Sequence, residues 1–197
     1  YFRRMTKNKT VVITGASSGI GLATAELFAE KEAILILLAR SESKLIELCK
    51  KLNEKNPDSA FYYKCDLSNL ADISKVAKRI KENFPKIDIL INNAGVGFPS
   101  DLLKIKIEDY NTIMNTNIRG VIFLTKEILK VMREYKKGHI INISSPAGME
   151  SNPVAPIYCT SKFALEGYTK GLRKQLKQKK LKIKVSLIRP GGVDTNY

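Results

Sequence analysis

Residues 10–21 read TVVITGASSGIG. Thr10–Thr14 is a short apolar, β-branched run, as a buried strand requires. Gly15, Gly19 and Gly21 follow, and a helical apolar pattern runs over 20–30. Glycines between a strand and a helix allow a tight turn and bring the backbone close to a pyrophosphate, whose charge suits a helix N-terminus. The spacing is G-x-x-x-G-x-G, distinct from the general G-x-G-x-x-G dinucleotide pattern. No Gly-Lys-Ser/Thr follows, which argues against a phosphate loop of the NTPase kind. The same loop would also serve as a tight turn that binds nothing.

The pattern repeats outward from this turn. Further apolar runs stand at Ile34–Ala39, Phe61–Cys65, Ile87–Ile91, His139–Ile143 and Ile183–Ile188. Helical spacing fills 42–54, 69–83, 108–135 and 155–178. Over 42–54, Leu45, Ile46, Leu48, Cys49 and Leu52 form one apolar stripe. Ser41 and the stretch Asp66–Asn69 supply N-cap candidates. Strands alternating with helices predict right-handed βαβ units, hence a doubly wound parallel sheet with helices on both faces. No linker or repeat interrupts it, so residues 1–197 are expected to form one α/β dinucleotide-binding domain.

The end of the second run is informative. A dinucleotide fold usually places an acid there to hold a ribose 2′-hydroxyl. This sequence has Ala39, Arg40 and Ser41 instead. A guanidinium suits a 2′-phosphate, which it grips with a planar fork. A surface arginine at a strand end is the plainer alternative.

A second short stretch, YCTSK, places Tyr158 four residues before Lys162. On a helix the two side chains share a face. A cation beside a phenol favours the phenolate and makes the phenol a better acid. A lysine-rich helix also produces this spacing by chance.

The bulk properties bound the function. The longest apolar run, Ala33–Ala39, is too short to span a bilayer, and the start YFRRMTKNKT lacks the apolar region of a secretory signal. Met5 reads as the natural first residue, with 1–4 an extension. Cys49, Cys65 and Cys159 are odd in number and irregular in spacing, which argues against a disulfide framework or a metal site and fits a reducing cytoplasm. The single histidine, His139, is expected to cap a strand. The net charge of +15 is spread along the chain, and only eight of the 34 basic residues are arginine. A Lys-rich composition with no basic tail or stacking motif gives nucleic-acid binding little support.

Taken together, these motifs resemble the short-chain dehydrogenase/reductase superfamily. TGASSGIG resembles its cofactor loop, which implies Gly15, Ser17, Ser18, Gly19, Ile20 and Gly21 as cofactor contacts. Asp66, in CDLS, matches the acid that meets the adenine. NNAG (92–95) matches the motif after the fourth strand, bringing in Asn93, Ala94 and Gly95. Asn117, in NTNIRG, matches the asparagine of the long central helix. Ser145 lies thirteen residues before Tyr158, the family's separation, which selects it over Ser144. PGGVDT (190–195) matches the loop at the nicotinamide end, implying Pro190, Gly191, Val193 and Thr195.

The resemblance implies hydride transfer between a nicotinamide and a carbonyl or alcohol carbon. Tyr158 would be the general acid or base. Lys162 would tune it and hold the nicotinamide ribose. Ser145 would orient the substrate oxygen, and Asn117 would help to place a relaying water. With Arg40, Ser41, Ser17 and Ser18 near a 2′-phosphate, NADP(H) is expected over NAD(H). Cys159 and the tyrosines 62, 63 and 110 are read as structural. The segments 96–101 and 146–156 are expected to contact a small-molecule substrate. A dimer or tetramer is expected through the helices at 108–135 and 155–178. The competing reading is a catalytically silent, cofactor-binding regulatory protein of the same fold. Family members continue past the PGGVDT loop, so the natural protein is expected to be longer, and the sixth strand is expected as an open edge.

Overall fold

The computed structural model describes residues 6–192. Its centre is a six-stranded parallel sheet in the order β3-β2-β1-β4-β5-β6. The strands are β1 (Thr10–Thr14), β2 (Ile34–Ala39), β3 (Ala60–Lys64), β4 (Ile89–Asn92), β5 (Lys137–Ile143) and β6 (Lys182–Ile188). The helices between them are α1 (Gly19–Glu30), α2 (Glu42–Lys55), α3 (Leu70–Asn83), α4 (Ile107–Met114), α5 (Val121–Glu134) and α6 (Pro156–Gln178).

Strand alternation divides the core into two layers. Val11, Ile13, Leu35 and Leu37 pack with Ala25 of α1 and Leu45, Leu48 and Leu52 of α2. Val12, Ile36 and Leu38 point the other way, toward Ile73 and Ile80 of α3, Leu124 and Ile128 of α5, and Leu172 of α6. Both faces of the central strands are therefore covered, which is why β1 and β2 read as nearly unbroken apolar runs. The order reverses between β1 and β4, and a crevice opens there at the strands' C-terminal ends.

Three local expectations change. The helix expected over 108–135 is broken by a π-helical segment, Asn115–Gly120. Its backbone lies so close to the β3–α3 connection that a Cβ on Gly120 would collide with the Leu67 carbonyl. Apolar spacing does not report that backbone contact. His139 does not cap a strand; it lies within β5, its Nε2 2.8 Å from Ser186 Oγ on β6. Of the N-cap candidates, Asn69 does the work: its Oδ1 accepts from Ala71 N–H at 2.9 Å and Asp72 N–H at 3.4 Å, whereas Ser41 caps α2 without a side-chain bond. The tyrosines also differ among themselves. Tyr63 is buried beneath the Arg79 guanidinium, while Tyr110 is 41% exposed on α4. β6 forms an edge of the described sheet, with Ile188 47% exposed. No described helix is long and apolar enough to cross a membrane.

Candidate active site

The crevice above the strand ends is a cleft of about 1190 Å³. One end is built by the glycine turn. Gly15 and Gly19 have φ of +65° and +51°, in the left-handed region where only glycine is unstrained. A Cβ on Gly15 would stand 2.9 Å from the Ala94 Cα, and one on Gly21 would strike the Gly15 carbonyl. Gly21 thus packs α1 against the turn and does not itself line the cleft, whereas Gly15, Ser17, Ser18, Gly19 and Ile20 do.

The turn is braced from β4. Thr14 Oγ1 accepts from the Asn93 and Ala94 N–H groups at 3.0 and 2.9 Å, and Asn93 Nδ2 donates to the Thr14 carbonyl at 2.9 Å. The first turn of α1 has no acidic residue, and its N-cap, Ser18, makes no side-chain cap bond. The free N–H groups and positive end of the helix dipole therefore suit an anion.

Arg40 and Ser41 border the cleft beside this turn, and Arg40 is exposed. Asp66, just after the neighbouring β3, also lines the cleft. Its Oδ1 accepts from Ser68 N–H and Oγ, both at 2.8 Å, which fixes the carboxylate.

The other end gathers Ser145, Tyr158 and Lys162 from two elements. Ser145 follows β5 and starts a short 3₁₀ turn, Pro146–Gly148, its Oγ accepting from Ala147 N–H at 3.2 Å. Tyr158 and Lys162 sit one turn apart on α6. Lys162 is only 5% exposed; its ammonium donates to the Ile143 carbonyl at 3.2 Å and lies 5.5 Å from the centre of the Tyr158 ring. Burial pulls its pKa down from 10.5 to about 8. Asn117 is buried in the π-helical segment beneath the cleft. Its Oδ1 accepts from Val96 N–H at 2.8 Å, and its Nδ2 donates to the Val96 carbonyl at 2.8 Å and Ser161 Oγ at 2.9 Å. It ties the segment after β4 to α6.

Pro190 and Gly191 line the cleft beyond β6, while Val193 and Thr195 lie outside the described residues. Both expected substrate segments contribute walls, including Phe98, Pro99, Pro153 and Val154. Cys159 is buried and accepts from Asn152 N–H. Burial raises the thiols of Cys49 and Cys65 to about 11 and about 12, so both stay protonated at neutral pH. Among the described residues, no group of three His, Cys, Asp or Glu could hold a metal.

Gly97 was not singled out by sequence. A Cβ there would stand 2.5 Å from Tyr158 Cδ2 and 2.8 Å from Cε2, so the phenol ring lies flat against this backbone. Glu166 and Arg189 were also missed, since each looks like any charged residue on a basic chain. Their signal is tertiary: the buried Glu166 carboxylate pairs with the more exposed Arg189 guanidinium at the end of β6.

Known proteins are similar to this chain in sequence and fold. The sequence profile described as short chain dehydrogenase matches residues 9–197. An NADP-dependent 3-hydroxy acid dehydrogenase of Schizosaccharomyces pombe is 38% identical over 191 residues, 96% of this chain and 73% of that protein. L-sorbose reductase from Gluconobacter frateurii, solved with NADPH and L-sorbose, superposes with a TM-score of 0.92 at 31% identity, covering 97% of this chain and 72% of that one. A short chain dehydrogenase/reductase from Burkholderia phymatum, solved with NAD, gives 0.91 at 32% identity, covering 96% and 67%.

Proposed function

The chain belongs to the short-chain dehydrogenase/reductase family of NAD(P)-dependent oxidoreductases, and on that premise we propose that it interconverts a carbonyl and an alcohol with NADP(H) as preferred cofactor. The observation that carries this reading is Lys162, an almost fully buried ammonium one helical turn from Tyr158 in a cleft that Ser145 also lines.

The residues present fit a dinucleotide. Gly15 and Gly19 let the turn close tightly along the cleft, and an α1 N-terminus without acidic side chains faces it. Gly15, Ser17, Ser18, Gly19 and Ile20 would hold the phosphates, Asp66 the adenine end, and Asn93, Ala94, Gly95, Pro190 and Gly191 the rest. When bound, the nicotinamide supplies or accepts the hydride. A carbonyl carbon that gains a hydride leaves an alkoxide unless a proton arrives with it. Tyr158 Oη gives that proton in reduction and takes it in oxidation. The Lys162 charge favours the phenolate that remains. Ser145 Oγ donates to the substrate oxygen and orients it. Asn117 keeps the Val96 backbone and α6 in register, a role its three hydrogen bonds support. An NADPH-absorbance assay across a panel of ketones tests the reading. Oxidation of NADPH that depends on one of the ketones supports it, and silence across aliphatic, aryl, sugar and acyl-thioester ketones would overturn it.

The cofactor preference rests on Arg40. An arginine–phosphate contact contributes about 1.5–3 kcal/mol, so NADPH should bind roughly 10- to 200-fold more tightly than NADH. Arg40→Ala should remove most of that gap without changing NADH binding. Equal dissociation constants for the two cofactors in the wild type would sink this preference.

Gly97 gives a test of Tyr158 placement. Gly97→Ala forces the phenol ring to move, and misplacing a catalytic group by about 1 Å can cost up to about 10²-fold. A fall in kcat of at least about tenfold, with NADPH affinity retained, is expected. An unchanged kcat would show that the ring position does not matter.

We read the chain as one dinucleotide-binding domain acting in the cytoplasm. Assembly through α5 and α6 is consistent with Phe123 and Phe163, which are 39% and 43% exposed on those helices. Sedimentation at micromolar concentration would test it.

A further inference from the structure

Glu166 lies one turn beyond Lys162 on α6 and is 6% exposed. A buried carboxylate is costly unless its oxygens find donors. Arg189 Nε donates to its Oε1 at 2.7 Å and Arg189 Nη2 to its Oε2 at 2.6 Å. Ser144 Oγ donates to Oε1 at 3.2 Å. The Arg189 guanidinium holds the Glu166 carboxyl below its ordinary pKa, so it stays ionised.

Both partners are neighbours of site residues. Ser144 precedes Ser145 at the end of β5, and Arg189 precedes Pro190 at the end of β6. A backbone bond from Ser144 N–H to the Ile188 carbonyl, 2.7 Å long, joins the same two strand ends. The turn after Ser145 presses on this point too. A Cβ on Gly148 would meet Ser144 Oγ at 2.9 Å, the Lys162 carbonyl at 3.0 Å and Glu166 Cγ at 3.2 Å.

Resting on the reading of the cleft as a site for NADP(H) and a carbonyl, we propose that the Glu166–Arg189 fork is a positioning clamp for the nicotinamide end. It fixes the Ser145 turn and the Pro190–Gly192 turn at a set distance from Tyr158 and Lys162, which ride on the same helix. Neither residue touches the reacting atoms. With the Arg189 side chain 38% exposed, the pair is a weak source of stability compared with apolar packing, but a two-bonded fork fixes both distance and orientation. Geometry is therefore what this pair contributes.

The test compares wild type, Arg189→Met, Arg189→Lys, Glu166→Gln and the Glu166→Gln/Arg189→Met double variant. Two ligands are titrated: NADPH, followed by its fluorescence, and adenosine 2′,5′-bisphosphate, which lacks the nicotinamide half, followed by calorimetry. Arg189→Met should weaken NADPH by about tenfold and lower ketone turnover by roughly 10- to 100-fold. It should leave the bisphosphate within about twofold of wild type, since only one end of the cleft is disturbed. Arg189→Lys, which keeps the charge but not the fork, should recover part of the loss. The double variant should be no worse than the poorer single one, because the two residues act as a unit. Wild-type NADPH affinity and turnover in Arg189→Met would overturn the clamp, as would equal weakening of both ligands. A wild-type protein that binds neither ligand would overturn the reading of the cleft, and the clamp with it.

Discussion

Tyr158→Phe is expected to lower ketone turnover by about 10² or more while NADPH affinity stays near that of the wild type. The substitution removes one oxygen and keeps the ring. The ring is what packs against Gly97 and lies beside the Lys162 ammonium, so the cleft should keep its shape. What disappears is the proton that, in the proposed mechanism, reaches the developing alkoxide. Glu166, the other titratable group one turn from Lys162 on α6, is held ionised by Arg189 and has no proton to give. A single-turnover assay with NADPH in excess reads the chemical step, and fluorescence titration reads binding. Turnover at the wild-type rate in Tyr158→Phe would show that the proton comes from elsewhere and would end the mechanism.

Lys162→Met is expected to stabilise the cofactor-free protein at neutral pH while abolishing most of its activity. Burial lowers the pKa of Lys162 from 10.5 to about 8, and 1.36 kcal/mol per decade makes that drop worth about 3 kcal/mol. The sign follows from proton counting. Between about 8 and 10.5 the unfolded chain holds a proton at this site that the folded chain has lost, so stability rises with pH across that window. Below about 8 the ammonium is charged in both states and the folded protein bears the whole cost of burying it. Methionine has nearly the same length without the charge, so the variant should gain on the order of 1–3 kcal/mol at pH 7. It should also lose the rise in stability above pH 8. Urea unfolding at pH 7 and pH 9.5 measures both effects. A Lys162→Met protein less stable than wild type at pH 7, with the same pH slope, would contradict this account. The same proton has a kinetic consequence. Above about pH 8 the free enzyme loses the charge beside Tyr158, so kcat/KM for reduction should bend downward there. A site that tolerates this cost is trading stability for function.

The sheet, its helices and the positions of most site residues were legible in the sequence, because they follow from local rules. β1 and β2 are covered on both faces, so every residue in them is apolar or small, and the runs stand out. The glycine turn was legible because left-handed backbone at Gly15 and Gly19 is a local demand that only one residue type meets cheaply. Tyr158 and Lys162 were legible because a helix converts a four-residue spacing into proximity. Arg40 announced itself by replacing an acid at a strand end.

Other features depend on which parts of the chain meet in space. Nothing in NTNIRG states that the helix widens into a π turn there. In that segment Gly120 lies against Leu67, more than 50 residues away in the chain. The Asn117 amide could have faced solvent; only the fold gives it Val96 and Ser161. Gly97 looks like any loop glycine until the Tyr158 ring is laid on it. Glu166 and Arg189 sit 23 residues apart among 34 basic and 19 acidic side chains, and sequence offers no means to pair them. Sequence by itself determined what is local: period, turn chemistry and one-turn spacing. Tertiary structure decided the rest, because burial, and with it the pKa of Lys162 and the value of an ion pair, is a property of everything that surrounds a group and of no residue alone.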